Sequence, residues 1–144
     1  MNSMPLWILW AILSAIFAAL TTIFAKIGLQ HINSDVATLI RTGFIFVLLA
    51  LFVYFSGKWI NPFQLSKHTW FFLGLSGLAT AISWVCFYRA LQLGDASKVL
   101  VIDKFSIVLV MFFALIFLGE KSGTKDWLGA LLVSIGLALI AAKF

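Results

Sequence analysis

The sequence predicts an all-α integral membrane protein, a bundle of five transmembrane helices that fills almost the whole chain. Residues 1–25, Thr42–Gly57, His68–Tyr88, Phe105–Gly119 and Trp127–Ala142 form five runs without an Asp, Glu, Lys or Arg. The chain is also 63% hydrophobic and only 10% charged, and a soluble domain of 144 residues could not hide that much apolar surface. Lipid can act as its solvent. A third observation concerns what breaks the runs. A bilayer core needs roughly 20 residues per helix at about 1.5 Å rise each. The second and fourth runs reach that length only if Arg41, Asp103 and Lys104 enter the membrane with them. An ionisable side chain at depth costs at least about 2.5–3.5 kcal/mol on insertion scales, so each marks a candidate site.

Local chemistry sets each element. Helix 1 is expected over about Pro5–Gly28, with Pro5 in the first turn, where its missing N–H is no loss. The N-terminus lacks a basic region and its apolar run exceeds that of a signal peptide, so it reads as a retained helix. Residues Gln30 to Ser34 form a polar loop, and Ser34 or Asp35 is suited to cap helix 2. Helix 2 is expected over about Val36–Ser56, with Arg41 between one and two turns in. Gly57-Lys58-Trp59-Ile60-Asn61-Pro62 is a turn-rich connection. Helix 3 is expected over about Thr69–Leu93. Gly94-Asp95-Ala96-Ser97 turns tightly into helix 4, about Ala96–Leu118, with Asp103 and Lys104 inside it. Residues 119–125 form the next polar loop, where Glu120 reads as a helix-terminal structural residue in preference to a substrate contact. Helix 5 covers about Asp126–Ala142. Residues 1–144 are thus expected to be one five-helix domain.

Span counting then arranges the charges. Let face A be the side of the membrane that holds the N-terminus and face B the other. Helix 1 ends at B, helices 2 and 4 start there and helix 3 ends there. Arg41, Asp103 and Lys104 are therefore expected at similar depth in the B half, with Lys26, Arg89 and Lys98 at its rim. Arg41 is read either as lining a polar cavity or as snorkelling to face B. Asp103-Lys104 is read either as part of that cavity or as local support for helix 4. Trp84 lies deep in helix 3 with Tyr88 one turn later on the same side. The pair is either an aromatic wall beside the site or simple helix packing. Asp103 is the only carboxylate well inside a span and is the candidate for proton coupling. Trp7, Trp10, Trp59, Trp70 and Trp127 fall near face A and read as an aromatic belt at the headgroup level. Gly129 and Gly136 share a face of helix 5 and read as a close-packing seam, within the bundle or in a dimer.

The net charge of +5 is scattered over loops and helix ends, which fits contact with membrane lipids. Without a basic stripe, nucleic-acid binding is not expected. Face A loops carry Lys58, Lys67, Lys121 and Lys125. Face B ends carry Lys26, Lys98 and Lys143, with Arg41, Arg89 and Lys104 deeper. This bias sets no firm orientation and permits insertion both ways. No glycine loop ending in Gly-Lys-Ser/Thr, no His-Glu-x-x-His, no Cys pair and no nucleophile elbow occurs. His31 and His68 fall on opposite faces, and Cys86 sits alone in an apolar run. No catalytic residue, cofactor or metal is expected.

Two stretches carry a family resemblance. Phe24-Ala25-Lys26-Ile27-Gly28 is followed by Arg41-Thr42-Gly43. Phe87-Tyr88-Arg89-Ala90-Leu91 leads through Ala96-Ser97-Lys98-Val99 to Leu118-Gly119-Glu120-Lys121, then Gly129 and Gly136. Together they resemble a single EamA repeat of the drug/metabolite transporter superfamily, and Ile102-Asp103-Lys104-Phe105-Ser106 is similar to its short five-helix bacterial and archaeal branch. The chain departs from longer members where they often carry Pro in helix 4, with an apolar residue near Ile107. The resemblance implies a secondary transporter of a small metabolite or drug-like molecule, working by alternating access in a prokaryotic inner membrane. Many relatives carry two repeats in ten helices, so a homodimer is expected, with an antiparallel arrangement favoured. Two rival readings are a small-ion channel and a non-transporting accessory subunit of a membrane complex.

Overall fold

The computed structural model describes residues 5–121 and 123–142; Lys143, counted above among the face B charges, lies outside them. Among the described residues all regular structure is helical. The helices are α1 (Leu6–Gly28), α2 (Ser34–Phe55), α3 (Lys67–Leu93), α4 (Ala96–Asp103), α5 (Ser106–Phe113) and α6 (Thr124–Ala141). They build five segments long and apolar enough to cross a membrane: Leu6–His31, Ser34–Phe55, Lys67–Leu93, Ala96–Leu118 and Thr124–Ala141. Arg41, Asp103 and Lys104 all fall inside such segments. Nearly all the large apolar side chains are exposed within the chain, which helices with internally bonded backbones tolerate only in lipid. The protein is an integral, multi-pass membrane protein. By contacts the chain divides into two compact units, residues 1–93 and 94–144.

The first unit holds α1, α2 and α3, with α2 and α1 each packed on α3. Pro5 precedes α1 in extended conformation. The cap of α2 is Asn33 rather than Ser34 or Asp35: its side-chain oxygen accepts from the Asp35 N–H at 2.8 Å. Ser34 and Asp35 are already helical, so α2 begins about half a turn earlier than the apolar run suggests. It ends at Phe55, and the φ of +63° at Gly57 lets the Gly57 and Lys58 N–H groups fold back to Tyr54 and Val53 carbonyls at 3.2 and 3.4 Å. Ser66 caps α3 by accepting from the Thr69 N–H at 3.1 Å. Helix hydroxyls turn inward on their own backbones: Thr22, Thr38, Thr42 and Thr80 each donate to the carbonyl four residues back. That satisfies a polar group with no water at hand.

Burial in this unit is confined to one end. Thr22, Leu29, Ser34, Thr38, Tyr88 and Leu91 are the buried residues there, and all lie toward the end of α1, the start of α2 or the end of α3. This is the face B end of the span-counting scheme. Leu91 is wholly buried at 0% exposure. In lipid, such burial gains van der Waals contact rather than release of water.

The second unit holds α4, α5 and α6, with α6 packed on both others. The fourth span is not the continuous helix expected over Ala96–Leu118. It breaks between α4 and α5, where Lys104 and Phe105 form a tighter turn. The Lys104 N–H is shared between Leu100 and Val101 carbonyls, Phe105 donates to Ile102 at 3.0 Å and Ile107 to Lys104 at 3.0 Å. No Gly or Pro lies at the break. Val99, Val101, Ile102, Asp103 and Ser106 are all weaker helix formers, and bonds to the third residue back keep the backbone paired where an α-helix gives way. The same span ends in one turn of π-helix, Ala114–Leu118. Gly119, at φ +65°, then reverses the chain so that the Glu120 N–H reaches the Ala114 carbonyl at 3.3 Å. Asp126 closes the start of α6 by accepting from the Gly123 N–H at 2.7 Å.

Candidate functional site

The buried end of the first unit gathers the polar groups of three helices. Asp35 opens α2, and Arg89 lies one turn before the end of α3. The two form a bidentate pair, with Arg89 Nε donating to Asp35 Oδ1 at 2.9 Å and Nη2 to Oδ2 at 2.8 Å. Both side chains are about half exposed. Gln92, one turn on from Arg89 toward the helix end, donates to the Ile32 carbonyl at 3.0 Å and accepts from the Ser34 N–H at 3.3 Å. Lys26, in the last turn of α1, donates to the Leu91 carbonyl at 2.5 Å. It satisfies one of the carbonyls that a helix end leaves open and places a cation at the negative end of α3. Together these bonds staple α1, α2 and α3 at face B.

Arg41 lies deeper. It is seven residues past Ser34 on α2, about 10 Å further along the axis. Its guanidinium carbon sits 4.3 Å from the centre of the Trp84 ring and 5.5 Å from that of Tyr88. Trp84 and Tyr88 are one turn apart on α3, so a single face of that helix supplies both rings. Each ring offers its electron-rich face, which attracts the cation by roughly 0.5–2 kcal/mol depending on desolvation. Among the described residues Arg41 has neither a carboxylate partner nor a hydrogen-bond acceptor.

Beside this cation lies a cavity of about 560 Å³. Thr21, Phe24, Ala25 and Gly28 of α1 face Ala37, Ile40, Arg41, Phe44 and Ile45 of α2 across it, with Ile32 and Tyr88 completing the wall. The positions recur at i, i+3, i+4 and i+7 on each helix, as one helical face requires. Ala25, Gly28 and Ala37 are small, which leaves the volume open. A Cβ added at Gly28 would meet nothing within 4 Å. The lining is apolar apart from the Thr21 and Tyr88 hydroxyls and the Arg41 fork, and none of its side chains is acidic. Such a site can hold an apolar body and present one cation to it.

The structure thus brings Arg41, Trp84 and Tyr88 together and gives Lys26 and Arg89 partners at the rim. Asp103 and Lys104 belong to the second unit, at the end of α4 and in the turn that follows it. Both are exposed there, and within that unit neither forms a salt bridge. Lys98 pairs with Asp95 at 3.1 Å, three residues away. Gly129 and Gly136 lie on α6, and a Cβ added at either meets nothing within 4 Å. The described residues of this chain therefore do not fill the room these glycines leave. Two contributors were not singled out by sequence reasoning. In sequence Asp35 reads only as a cap, and Gln92 carries no charge or motif to mark it. Span counting puts both on face B with Arg89, and that was the available signal.

The sequence profile of the EamA-like transporter family matches residues 5–142. The chain is similar to a protein of Sinorhizobium sp described as an uncharacterized transporter in cobO 3'region. The two are 51% identical over 135 residues, covering 94% of this chain and 96% of that protein. It is also similar to the uncharacterized transporter YxxF of Bacillus subtilis (strain 168), at 26% identity over 137 residues. That match covers 94% of this chain and 42% of the relative. No solved structure gives a match of comparable significance.

Proposed function

The chain belongs to the EamA-like transporter family and is a membrane transporter, and we propose that it moves a small metabolite or drug-like molecule by alternating access as a homodimer in a prokaryotic inner membrane. One observation carries the reading. Arg41 is held at depth by two aromatic faces and borders a cavity of about 560 Å³. A cation that only propped up the bundle would gain more from a carboxylate, as Arg89 does with Asp35. Left among rings beside an open volume, it is available to a ligand. Asp103, in the broken span, is the proposed coupling carboxylate, and Lys104 lies next to it. Interrupted helices that expose backbone and charge near the bilayer midplane are a recurring device of secondary transporters.

Three features support the dimer. The Bacillus relative is matched over only 42% of its length, so it has room for a second segment of this size. A second copy of this chain would supply the equivalent. The small difference in loop charge between the faces supports an antiparallel pair, and Gly129 and Gly136 offer open surface for the seam.

The test is reconstitution. Purified protein in liposomes is expected to accumulate substrate when driven by an imposed proton gradient. Arg41→Gln should abolish uptake, while Lys58→Gln, in a solvated loop, should leave it intact. Reporters fused to the C-terminus should signal on both sides of the membrane. Full activity from a monomer, or uptake indifferent to Arg41, would sink the reading.

A further inference from the structure

We infer that the ligand of the cavity beside Arg41 is an apolar monocarboxylate: a small organic anion whose carboxylate engages the Arg41 fork and whose hydrocarbon body lies against α1 and α2. The word substrate rests on the transport reading; binding itself stands on the geometry.

The charge inventory comes first. Arg41 is the only ionisable cation on the cavity wall, and no acid is there. An amine or quaternary cation would meet a like charge with nothing to offset it. A zwitterionic amino acid would satisfy its carboxylate and strand its ammonium in an apolar wall, which is costly. A phosphate monoester brings nearly two charges to one cation. A single carboxylate balances the site.

Geometry narrows the choice further. A guanidinium presents five N–H donors in a planar fork that matches the two oxygens of a carboxylate. Arg89 shows the fit within this same chain, donating to both oxygens of Asp35 at 2.8 and 2.9 Å. Trp84 and Tyr88 offset part of the charge on Arg41 but offer its donors no oxygen acceptor in contact. Charge-assisted bonds in an apolar setting are among the strongest available to a ligand.

Size and surface decide the rest. The cavity, about 560 Å³, lies in the range of small-molecule sites, roughly 300–1,000 Å³. Its walls are Phe24, Ile40, Phe44 and Ile45 rather than hydrogen-bonding groups. A sugar or polyol would leave hydroxyls unpaired there. An aromatic or short aliphatic chain would not. The same chemistry could come from a soluble metabolite or a membrane fatty acid. The volume admits either, and the palmitate arm of the experiment below separates the two sources.

The experiment compares near-isosteric ligands on the intact protein in nonionic detergent. Thermal shift and equilibrium binding are measured with 3-phenylpropionate, 3-phenylpropanamide, 3-phenylpropylamine, phenylalanine and palmitate. Among the phenyl compounds, only 3-phenylpropionate should stabilise strongly. Arg41→Gln should weaken its binding by about tenfold or more, and Arg41→Lys should recover part of that loss. Helical content and gel-filtration profile show that each variant is folded. Equal binding of the amine or amide, no binding of the carboxylate, or carboxylate binding unchanged in Arg41→Gln overturns the inference. Stabilisation by palmitate alone overturns the soluble source and makes the cavity a fatty-acid site. Binding of 3-phenylpropionate without flux in liposomes would defeat the transport reading and leave this inference standing. Flux of an amine that ignores Arg41 would do the reverse.

Discussion

Arg41 and Arg89 are neighbours in the fold and opposites in chemistry. Both lie at the face B end of the first unit, on α2 and α3. Arg89 donates to both oxygens of Asp35. Arg41 rests against two aromatic rings and beside a cavity. The first arrangement closes a charge off and ties two helices together. The second leaves the donors of a charge open while making its depth tolerable. One helix interface can therefore carry a structural cation and a ligand-facing cation, and what separates them is the partner each is given.

The largest effect is expected from Arg41. Replacing it with Gln removes the only cation of the cavity wall and should reduce substrate uptake to background, with the protein still helical and membrane-inserted. A bidentate, desolvated charge interaction of about 3 kcal/mol corresponds to more than a hundredfold in binding. Uptake by the variant within a few-fold of the parent would make Arg41 a second structural arginine and erase the distinction.

Asp103→Asn should come next. If this carboxylate couples transport to protons, the variant loses gradient-driven accumulation yet keeps substrate exchange between two equilibrated compartments. Accumulation with an unchanged pH dependence would remove Asp103 from the mechanism.

Trp84→Leu should have a smaller effect. It keeps apolar bulk and removes the closer of the two rings. The loss of a partly desolvated cation–π contact, about 0.5–2 kcal/mol, predicts roughly two- to thirtyfold weaker ligand binding. Tyr88→Phe retains the ring and should change binding less. If Trp84→Leu leaves affinity unaltered, the rings do not position the guanidinium.

Much of this could be read from the chain, for reasons that differ by element. Five spans follow from uninterrupted apolar runs because lipid leaves helices little alternative. The shared location of Lys26, Asp35 and Arg89 follows from counting spans. The meeting of Arg41 with Trp84 and Tyr88 was half legible. Their spacing on α3 put the rings on one side, but nothing in helices that are apolar all round says which side faces α2. The cavity was not legible, because it depends on the small Ala25, Gly28 and Ala37 falling on facing sides. The break at Lys104-Phe105 carries no Gly or Pro to announce it. The cap of α2 is ambiguous in sequence, because Asn33, Ser34 and Asp35 are equally good capping residues and only the backbone decides among the three.

The smallest effect on transport is expected from exchanging the structural pair, and it is the sharpest probe of the comparison. Arg89→Asp alone places two carboxylates opposite each other where α2 begins and α3 ends. Asp35→Arg alone places two guanidinium groups there. Each should lower the melting temperature in detergent, because Gln92 and Lys26 would then have to hold the helix ends against repulsion. Carrying both changes restores opposite charges across the same gap and should recover most of the stability. Ligand affinity should stay near the parent value in the double variant, since the Arg41 cavity wall contains neither residue. The measurement is a double-mutant cycle on melting temperature, run beside equilibrium binding. A double variant that regains stability but not affinity would show that Arg89 takes part in the site, and the division of labour between the two arginines would have to be redrawn.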